Sequence, residues 1–369
     1  MTLAVDDPSE QARQESRRDE LATRLSGAVL ASLDLQAVYL GEQLGLYRAL
    51  QDGGPATAAE LAERAAIDPR YAREWLEHQA VGAILDVDDT AAGAEERRYS
   101  LPDGHAAVLT DPESLALVAP LARFVVGTAK TMPRLLDAYR TGEGVDWADY
   151  GPDVVEAQEG INRPQFHHLV GDWIDALPDI ADRLRSGRGR VADVACGTGW
   201  SSIAIARHFP GIEVDGIDID EGSIARAKAH AAQAGVDGRV SFLFADAANA
   251  SGEGRYDLVT IFEAVHDMAR PAEVLAAARR LLAPGGAVLI ADERVAERFS
   301  APGDEAERMF YGYSVVACLA NGLVDQPSVG TGTVLRPAAL EAISREAGLS
   351  GFTILPVEHD SFRFYRLDP

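Results

Sequence analysis

The sequence predicts an α/β protein: a doubly wound, mostly parallel sheet in the C-terminal half, behind a mainly α N-terminal region. Three observations carry the prediction. Residues 191–206 read as a short apolar strand, a glycine turn and the first turns of a helix. A second apolar run of strand length follows at 212–218, as in a βαβ unit. The first hundred residues hold helical patterns and one short hairpin instead.

Taken in chain order, residues 1–20 are polar and charged and are expected as a disordered tail or a frayed helix start. Residues 28–50 are apolar at helical spacing until Gly53-Gly54-Pro55 breaks the pattern. Thr57-Ala-Ala-Glu60 is a capping box that opens a helix over 58–65. Asp68-Pro69-Arg70 opens another over 71–82. A strand at 83–87, a polar stretch and a strand at 99–101 complete a helix, turn, helix and hairpin, a winged-helix pattern expected over 21–110. Such a module invites a DNA-binding reading. The would-be recognition helix, however, sets Glu74 and Glu77 beside Arg70 and Arg73, and the hairpin sets Asp86, Asp88, Asp89, Glu95 and Glu96 against Arg97 and Arg98. Phosphate binding needs a positive face, so no nucleic-acid partner is expected and dimerisation is the competing role.

Residues 111–184 are expected as a helical connector. Its irregular middle, 141–152, is rich in glycine and aromatics and is a candidate substrate lid. Tyr150, Asn162 and Phe166 are candidate substrate contacts there. Phe166 and Trp173 lie seven apart on one helix face, which serves either as pocket wall or as core. His167 and His168 point apart, so at most one enters a pocket.

The next expected domain, 185–369, opens on Asp193-Val-Ala-Cys-Gly-Thr-Gly199. Gly197 and Gly199 permit a tight turn and close approach of a ligand. Asp218 ends the following strand, nineteen residues after Gly199, near the spacing of an acid that grips ribose hydroxyls. The dinucleotide fingerprint needs a small residue three places after Gly199 and no acid ahead of the glycines. Ser202 and Asp193 stand there. Asp193 would repel a pyrophosphate and is expected to face a cationic ligand bearing an ammonium and a sulfonium. Past the fourth strand come Glu263, Ala264, Val265, His266, Asp267 and Met268. Ligands of parallel α/β sheets sit outside the carboxyl ends of the strands, which makes His266 the catalytic candidate; capping of a helix that begins near Asp267 is its alternative role. The helix expected over 304–323 presents Met309 and Tyr313 on its apolar face, both candidate substrate contacts. Strands at 352–357 and 361–366, joined by His359-Asp360, form a terminal hairpin that places a reversed strand in the sheet.

These motifs resemble those of the class I S-adenosylmethionine-dependent methyltransferases, across the C-terminal half, where 242–247, 256–262 and 285–293 resemble the family's third, fourth and fifth strands. The winged-helix region, connector and catalytic domain together resemble the small-molecule O-methyltransferases. The resemblance implies a Rossmann-like seven-stranded sheet with an antiparallel last strand. It implies S-adenosyl-L-methionine as cofactor, held by Asp193, Ala195, Gly197, Thr198, Gly199, Asp218, Ile219, Asp246, Ala247 and Phe262, with Asp246 facing the adenine amino group. Ala195 departs from the glycine common in the loop and is expected to keep φ below zero. His266-Asp267 resembles the family's His-Asp pair, whose histidine is the general base. Met268 stands where the family has tryptophan. Glu293 resembles the acid that orients the base, with Asp292 the alternative. The implied assembly is a homodimer paired through N-terminal helices, and the implied partner a small-molecule methyl acceptor with an oxygen or activated carbon nucleophile. A cofactor-binding transcriptional regulator and a fold relative that catalyses a step without methyl transfer are the alternative functions.

Composition agrees. The chain has 369 residues, 47% of them hydrophobic, ample for two cores. The net charge of −24, from 34 basic and 58 acidic side chains, opposes binding to nucleic acid or an anionic membrane. No apolar run reaches the ~18 residues of a membrane span, and no signal peptide opens the chain. The two cysteines, Cys196 and Cys318, give neither zinc-ligand spacing nor a disulfide framework. A metal-independent, cytoplasmic enzyme is the expectation.

Overall fold

A computed structural model describes residues 8–369, and the chain divides into two compact units, 1–126 and 127–369. The first contains α1 (Pro8–Gln43), α2 (Leu46–Gly53), α3 (Ala58–Ala65), α4 (Pro69–Val81), β1 (Asp86–Val87), β2 (Tyr99–Ser100) and α5 (Asp103–Leu109). Helix α1 favours the helix start over the disordered tail, the two expectations for this stretch. It starts at Pro8, and polar pairs one turn apart, such as Gln14 with Glu10 and Ser16 with Glu20, support its exposed first turns. Residues 1–7 lie outside the described residues. The single helix expected over 28–50 is corrected. Gly45 at φ 66° ends one helix and starts the next. The Thr57–Glu60 capping box forms in both directions, with Thr57 N–H donating to Glu60 and Glu60 N–H to Thr57 Oγ1. The first hairpin strand is shorter than expected, because Ala83 and Ile84 donate their N–H groups to the last carbonyls of α4. Leu46, Tyr47, Leu61, Trp75, Leu76 and Tyr99 form the core of this unit. Arg70, Arg73, Arg97 and Arg98 are each paired, with Glu74, Glu95, Glu77 and Glu60, so the face that would meet phosphate is neutralised.

Helix α6 (Pro120–Thr141) crosses between the units. The second unit continues with α7 (Gly151–Asp175), α8 (Pro178–Arg185), β3 (Arg190–Val194), α9 (Trp200–His208), β4 (Glu213–Asp218), α10 (Glu221–Ala234), β5 (Val240–Phe244) and β6 (Tyr256–Phe262). It ends with α11 (Pro271–Leu281), β7 (Leu282–Glu293), α12 (Glu305–Tyr313), α13 (Leu319–Gly322), α14 (Pro337–Glu346), β8 (Gly351–Ile354) and β9 (Phe362–Asp368). A π-helical turn, Ser314–Cys318, joins α12 to α13.

The seven strands order as β5-β4-β3-β6-β7-β9-β8. Strands β3 to β7 are parallel, and β9 is antiparallel to both β7 and β8. Chain order reverses between β3 and β6, so their carboxyl ends open the crevice in which such sheets bind ligands. Apolar clusters fill both faces of the sheet. The connector expected over 111–184 is not a separate body. Val170, Trp173, Ile174, Leu177, Ile180 and Leu184 pack into the same core as β3 and α9. Trp173 lies 5.7 Å from Phe262 and 5.0 Å from Phe364 between ring centroids, which makes its helix face core. The lid candidate is docked within this unit. Val145 N–H donates to Ala320 O, and Tyr139 and Tyr150 hydroxyls to Val315 O and Ala317 O. Gly144 permits this contact, since a Cβ there would sit 2.3 Å from the Val324 nitrogen. No helix among the described residues is long and apolar enough to cross a membrane.

Candidate active site

The glycine loop links β3 to α9 at the crevice. Gly197 takes φ 51° and Gly199 φ 85°. A Cβ on Gly199 would lie 2.6 Å from the Phe242 ring, whereas one on Gly197 would meet nothing within 4 Å. The loop is therefore seated tightly below and open above. Gly197 N–H donates to Asp218 Oδ2 at 2.8 Å, and Asp220 N–H to Asp218 Oδ1 at 2.8 Å. Asp218 thus fixes the loop, and its remaining lone pairs face the same crevice. Ile219 beyond it is 63% exposed. Thr198 is buried, and its carbonyl lies 3.0 Å from His230 Nδ1. Cys196 is buried in the turn, and burial, with Asp193 and Asp218 nearby, holds its thiol protonated.

Three expectations about this cradle need correction. Asp193 does not face a ligand. It is 1% exposed and accepts from Ser201 Oγ and Ser202 Oγ at 2.6 Å and from Thr260 Oγ1 at 2.7 Å. It clamps the start of α9 to β6, and burial pushes its pKa up despite these bonds. Ala195 adopts φ 56°, so it occupies the left-handed region at a cost of about 1–2 kcal/mol. Phe262 is 7% exposed and packs on Phe166 and Trp173, in the aromatic core. Asp246 caps the turn that begins at Ala247, accepting from Ala248 N–H and Asn249 Nδ2.

The second half of the site surrounds His266. A 3₁₀ turn, Val265–Asp267, follows β6 and holds the imidazole at 2% exposure. Helix α11 starts at Pro271 with Arg270 as its cap, so His266 caps nothing. Its Nδ1 lies 2.9 Å from Asp292 Oδ1 in hydrogen-bonding geometry, and 2.9 Å from Glu293 Oε2 as an ion pair. The orienting hydrogen bond therefore belongs to Asp292, the alternative to the expected Glu293. Nε2 is 3.5 Å from Asp267 Oδ1, a buried oxygen with no hydrogen-bond partner. Burial alone would lower the imidazole pKa, but Glu293, Asp267 and Asp292 outweigh it and raise it well above the usual value. Burial raises both carboxyls, but His266 holds Asp292 below its usual pKa, whereas burial and the Asp292 charge hold Glu293 well above its own.

Glu263, not among the expected residues, stands between the two halves. It ends β6 at φ 51°, donates its N–H to Ala291 O at 2.8 Å and accepts from Gln158 Nε2 at 2.8 Å and from Asn162. Its Oε1 is buried without a partner, and burial pushes its carboxyl up to about 7. An acid directly after an apolar strand is the signal that marked Asp218, and it would have marked Glu263 too. Tyr150 is buried, with Asp267 and Cys318 close enough to raise its pKa beyond what burial does. Tyr313 is raised by burial and by Glu263. Asn162 reaches the site through Glu263, and Phe166 stays in the core. Met309 is 45% exposed on α12. His167 and His168 are both exposed.

Comparisons with known proteins agree with this arrangement. Residues 186–323 match a family model described as a methyltransferase domain, and residues 31–111 one described as an Rv2258c-like winged HTH domain. The ubiquinone biosynthesis O-methyltransferase of Pseudomonas aeruginosa is 30% identical over 200 residues, 53% of this chain and 77% of that protein. The mitomycin 7-O-methyltransferase MmcR superposes with a TM-score of 0.68 at 20% identity, covering 97% of this chain and 99% of that one. Human N-acetylserotonin methyltransferase in complex with SAM gives 0.65 at 17% identity, covering 100% and 99%. At such identities the structural matches speak for the fold.

Proposed function

Because this chain belongs to the class I S-adenosylmethionine-dependent methyltransferases, we propose that it methylates an acidic oxygen, or an activated carbon, of a small-molecule acceptor, with His266 as general base and Asp292 as the group that orients it. The carrying observation is the buried Nδ1–Asp292 hydrogen bond at the carboxyl end of β6, which directs Nε2 to receive a proton. The residues fit the donor. Gly197 leaves the cradle open above, and acids rather than bases line its rim, which suits a sulfonium and not a pyrophosphate. The loop at Ala195, Thr198 and Gly199 would support the donor, with Asp218 and Ile219 at the ribose and Asp246 and Ala247 at the adenine.

When bound, the donor supplies a methyl group on a positively charged sulfur. His266 Nε2 would take the acceptor's proton as the acceptor is methylated. Asp292 balances the imidazolium. Asp267 Oδ1, unpartnered 3.5 Å from Nε2, offers the acceptor hydroxyl a second oxygen. Base catalysis of this kind contributes about 10²–10⁴-fold, and alignment against the methyl group contributes most of the rest. The test is transfer of label from methyl-labelled donor to a panel of phenols and enols. His266→Ala should lower turnover by that factor while donor affinity is kept; full activity in the variant refutes the assignment.

The first unit is proposed to pair two copies. Leu21, Leu25, Val29, Leu33 and Leu40 are 46–62% exposed, and their spacing of four or seven sets them on one face of α1. Burying each against a second copy would contribute up to about 1.5–3 kcal/mol. A DNA-reading role has no support in the paired arginines of α4 and the hairpin.

A further inference from the structure

We propose that Glu263, and not Asp193, receives the α-ammonium group of the donor's methionine arm. The inference rests on the glycine loop being the donor's cradle. An ammonium in a water-poor crevice needs an anion with a free lone pair. Asp193 has none to offer toward the crevice: three hydroxyls occupy its two oxygens, and it is 1% exposed. Asp218 is bound to two N–H groups at the end of β4, on the side away from β6. Asp292 is committed to His266.

Glu263 meets the requirement. Val194 pairs with Ile261 at the end of the β3–β6 register, so Glu263, two residues on, leaves the same carboxyl edge of the sheet as the glycine loop. It is also close enough to His266 and Asp292 for their charges to act on it. It therefore sits at the junction of the cradle and the base. Two neutral amides, Gln158 and Asn162, hold the carboxyl from α7, Gln158 through Oε2, while Oε1 is buried and unpartnered. Of the groups that face it (Gln158, Asn162, His266, Asp292 and Tyr313), only His266 can carry positive charge, and Asp292 already compensates it. A left-handed backbone in a glutamate is costly, and Glu263 adopts it at φ 51° directly after β6. With its own charge uncompensated, the carboxyl rests near pH 7 between its two forms. An ammonium at Oε1 would ionise it, and binding would release a proton.

The test is calorimetry with three probes: S-adenosylmethionine, S-adenosylhomocysteine, and 5′-methylthioadenosine, which lacks the amino-acid arm. In Glu263→Gln, both arm-bearing probes should bind about 10- to 100-fold more weakly, as expected for loss of a hydrogen bond to a charged group. Binding of 5′-methylthioadenosine should be unchanged, which also reports that the variant is folded. Wild-type protein titrated with S-adenosylhomocysteine at pH 7, in buffers of different ionisation enthalpy, should release about half a proton per site, and this needs no variant. Unchanged affinity for the arm-bearing probes in the variant, or no proton release in the wild type, overturns the role of Glu263 and leaves the cradle intact. Failure of 5′-methylthioadenosine to bind the wild-type protein overturns the cradle and this inference with it.

Discussion

Replacing Asp292 by asparagine should lower the imidazole pKa of His266, and the structure sets the size of the effect. Asp292 Oδ1 lies 2.9 Å from Nδ1. Unit charges at that separation interact by about 6 kcal/mol at an effective dielectric of ~20, which corresponds to about 4 pKa units. Glu293 limits the loss. Its Oε2 is 2.9 Å from the same nitrogen, and burial together with the Asp292 charge holds its pKa well above the usual carboxylate range against the pull of His266. Once the Asp292 charge is gone, Glu293 can ionise in its place. The expected fall is therefore about 1–3 units. Selective carbon-13 labelling of the histidine ring and NMR titration measure it directly, without knowledge of the acceptor. The chain has eight histidines, and His266 is identified by the signal lost in His266→Gln. Wild-type His266 should titrate well above 6.5, Asp292→Asn should bring it down, and Asp292→Asn/Glu293→Gln should bring it down further. If wild-type His266 titrates at or below 6.5, or if the single variant leaves it in place, the base and its orienting acid have been misread.

Four further outcomes are expected. Turnover should climb with pH through the His266 pKa, because the neutral imidazole is the base, and Asp292→Asn should shift that limb to lower pH in a pH–rate profile. Glu263 carries a pKa of about 7 folded against an ordinary 4.5, so it favours the folded state below 4.5 and this is lost as pH rises to 7, by up to about 1.4 kcal/mol per pH unit; urea midpoints from pH 5 to 8 should fall less steeply in Glu263→Gln, and equal slopes would contradict the raised pKa. Asp218→Ala removes the acceptor for Gly197 and Asp220 N–H and should weaken S-adenosylhomocysteine binding about tenfold or more by calorimetry; an unchanged affinity would remove Asp218 from the donor site. Leu25→Glu with Leu33→Glu should convert a dimer to monomer in sedimentation, and an unaltered mass would exclude this face of α1 as the interface.

Local chemistry made much of this molecule legible beforehand. Thr57 and Glu60 had only each other's backbone to satisfy, so a four-residue motif predicted a helix start that the tertiary structure reproduces. The period of the apolar runs and the turn chemistry at Gly197 and Gly199, together with the family resemblance, predicted five parallel strands and their crevice, and the terminal run predicted the reversed strand β9. The exposed start of α1 stayed open between tail and helix because composition reads polarity, and polar residues paired one turn apart are also helix formers. The φ of Ala195 was missed because no sequence rule says when surrounding structure overrides a residue's own preference.

Sequence alone determined which residues meet at the strand ends, since strand period and glycine turns are properties of neighbouring positions. Only the tertiary structure decided which carboxylate does what. Asp193, Glu263, Asp292 and Glu293 are all acids at the ends of adjacent strands, and spacing cannot rank them. Three hydroxyls from α9 and β6 enclose Asp193, two amides from α7 hold Glu263 with an oxygen to spare, and His266 Nδ1 makes its hydrogen bond to Asp292. Charge, burial and hydrogen bonding in a low-dielectric interior depend on groups distant in the chain, and these assign the roles.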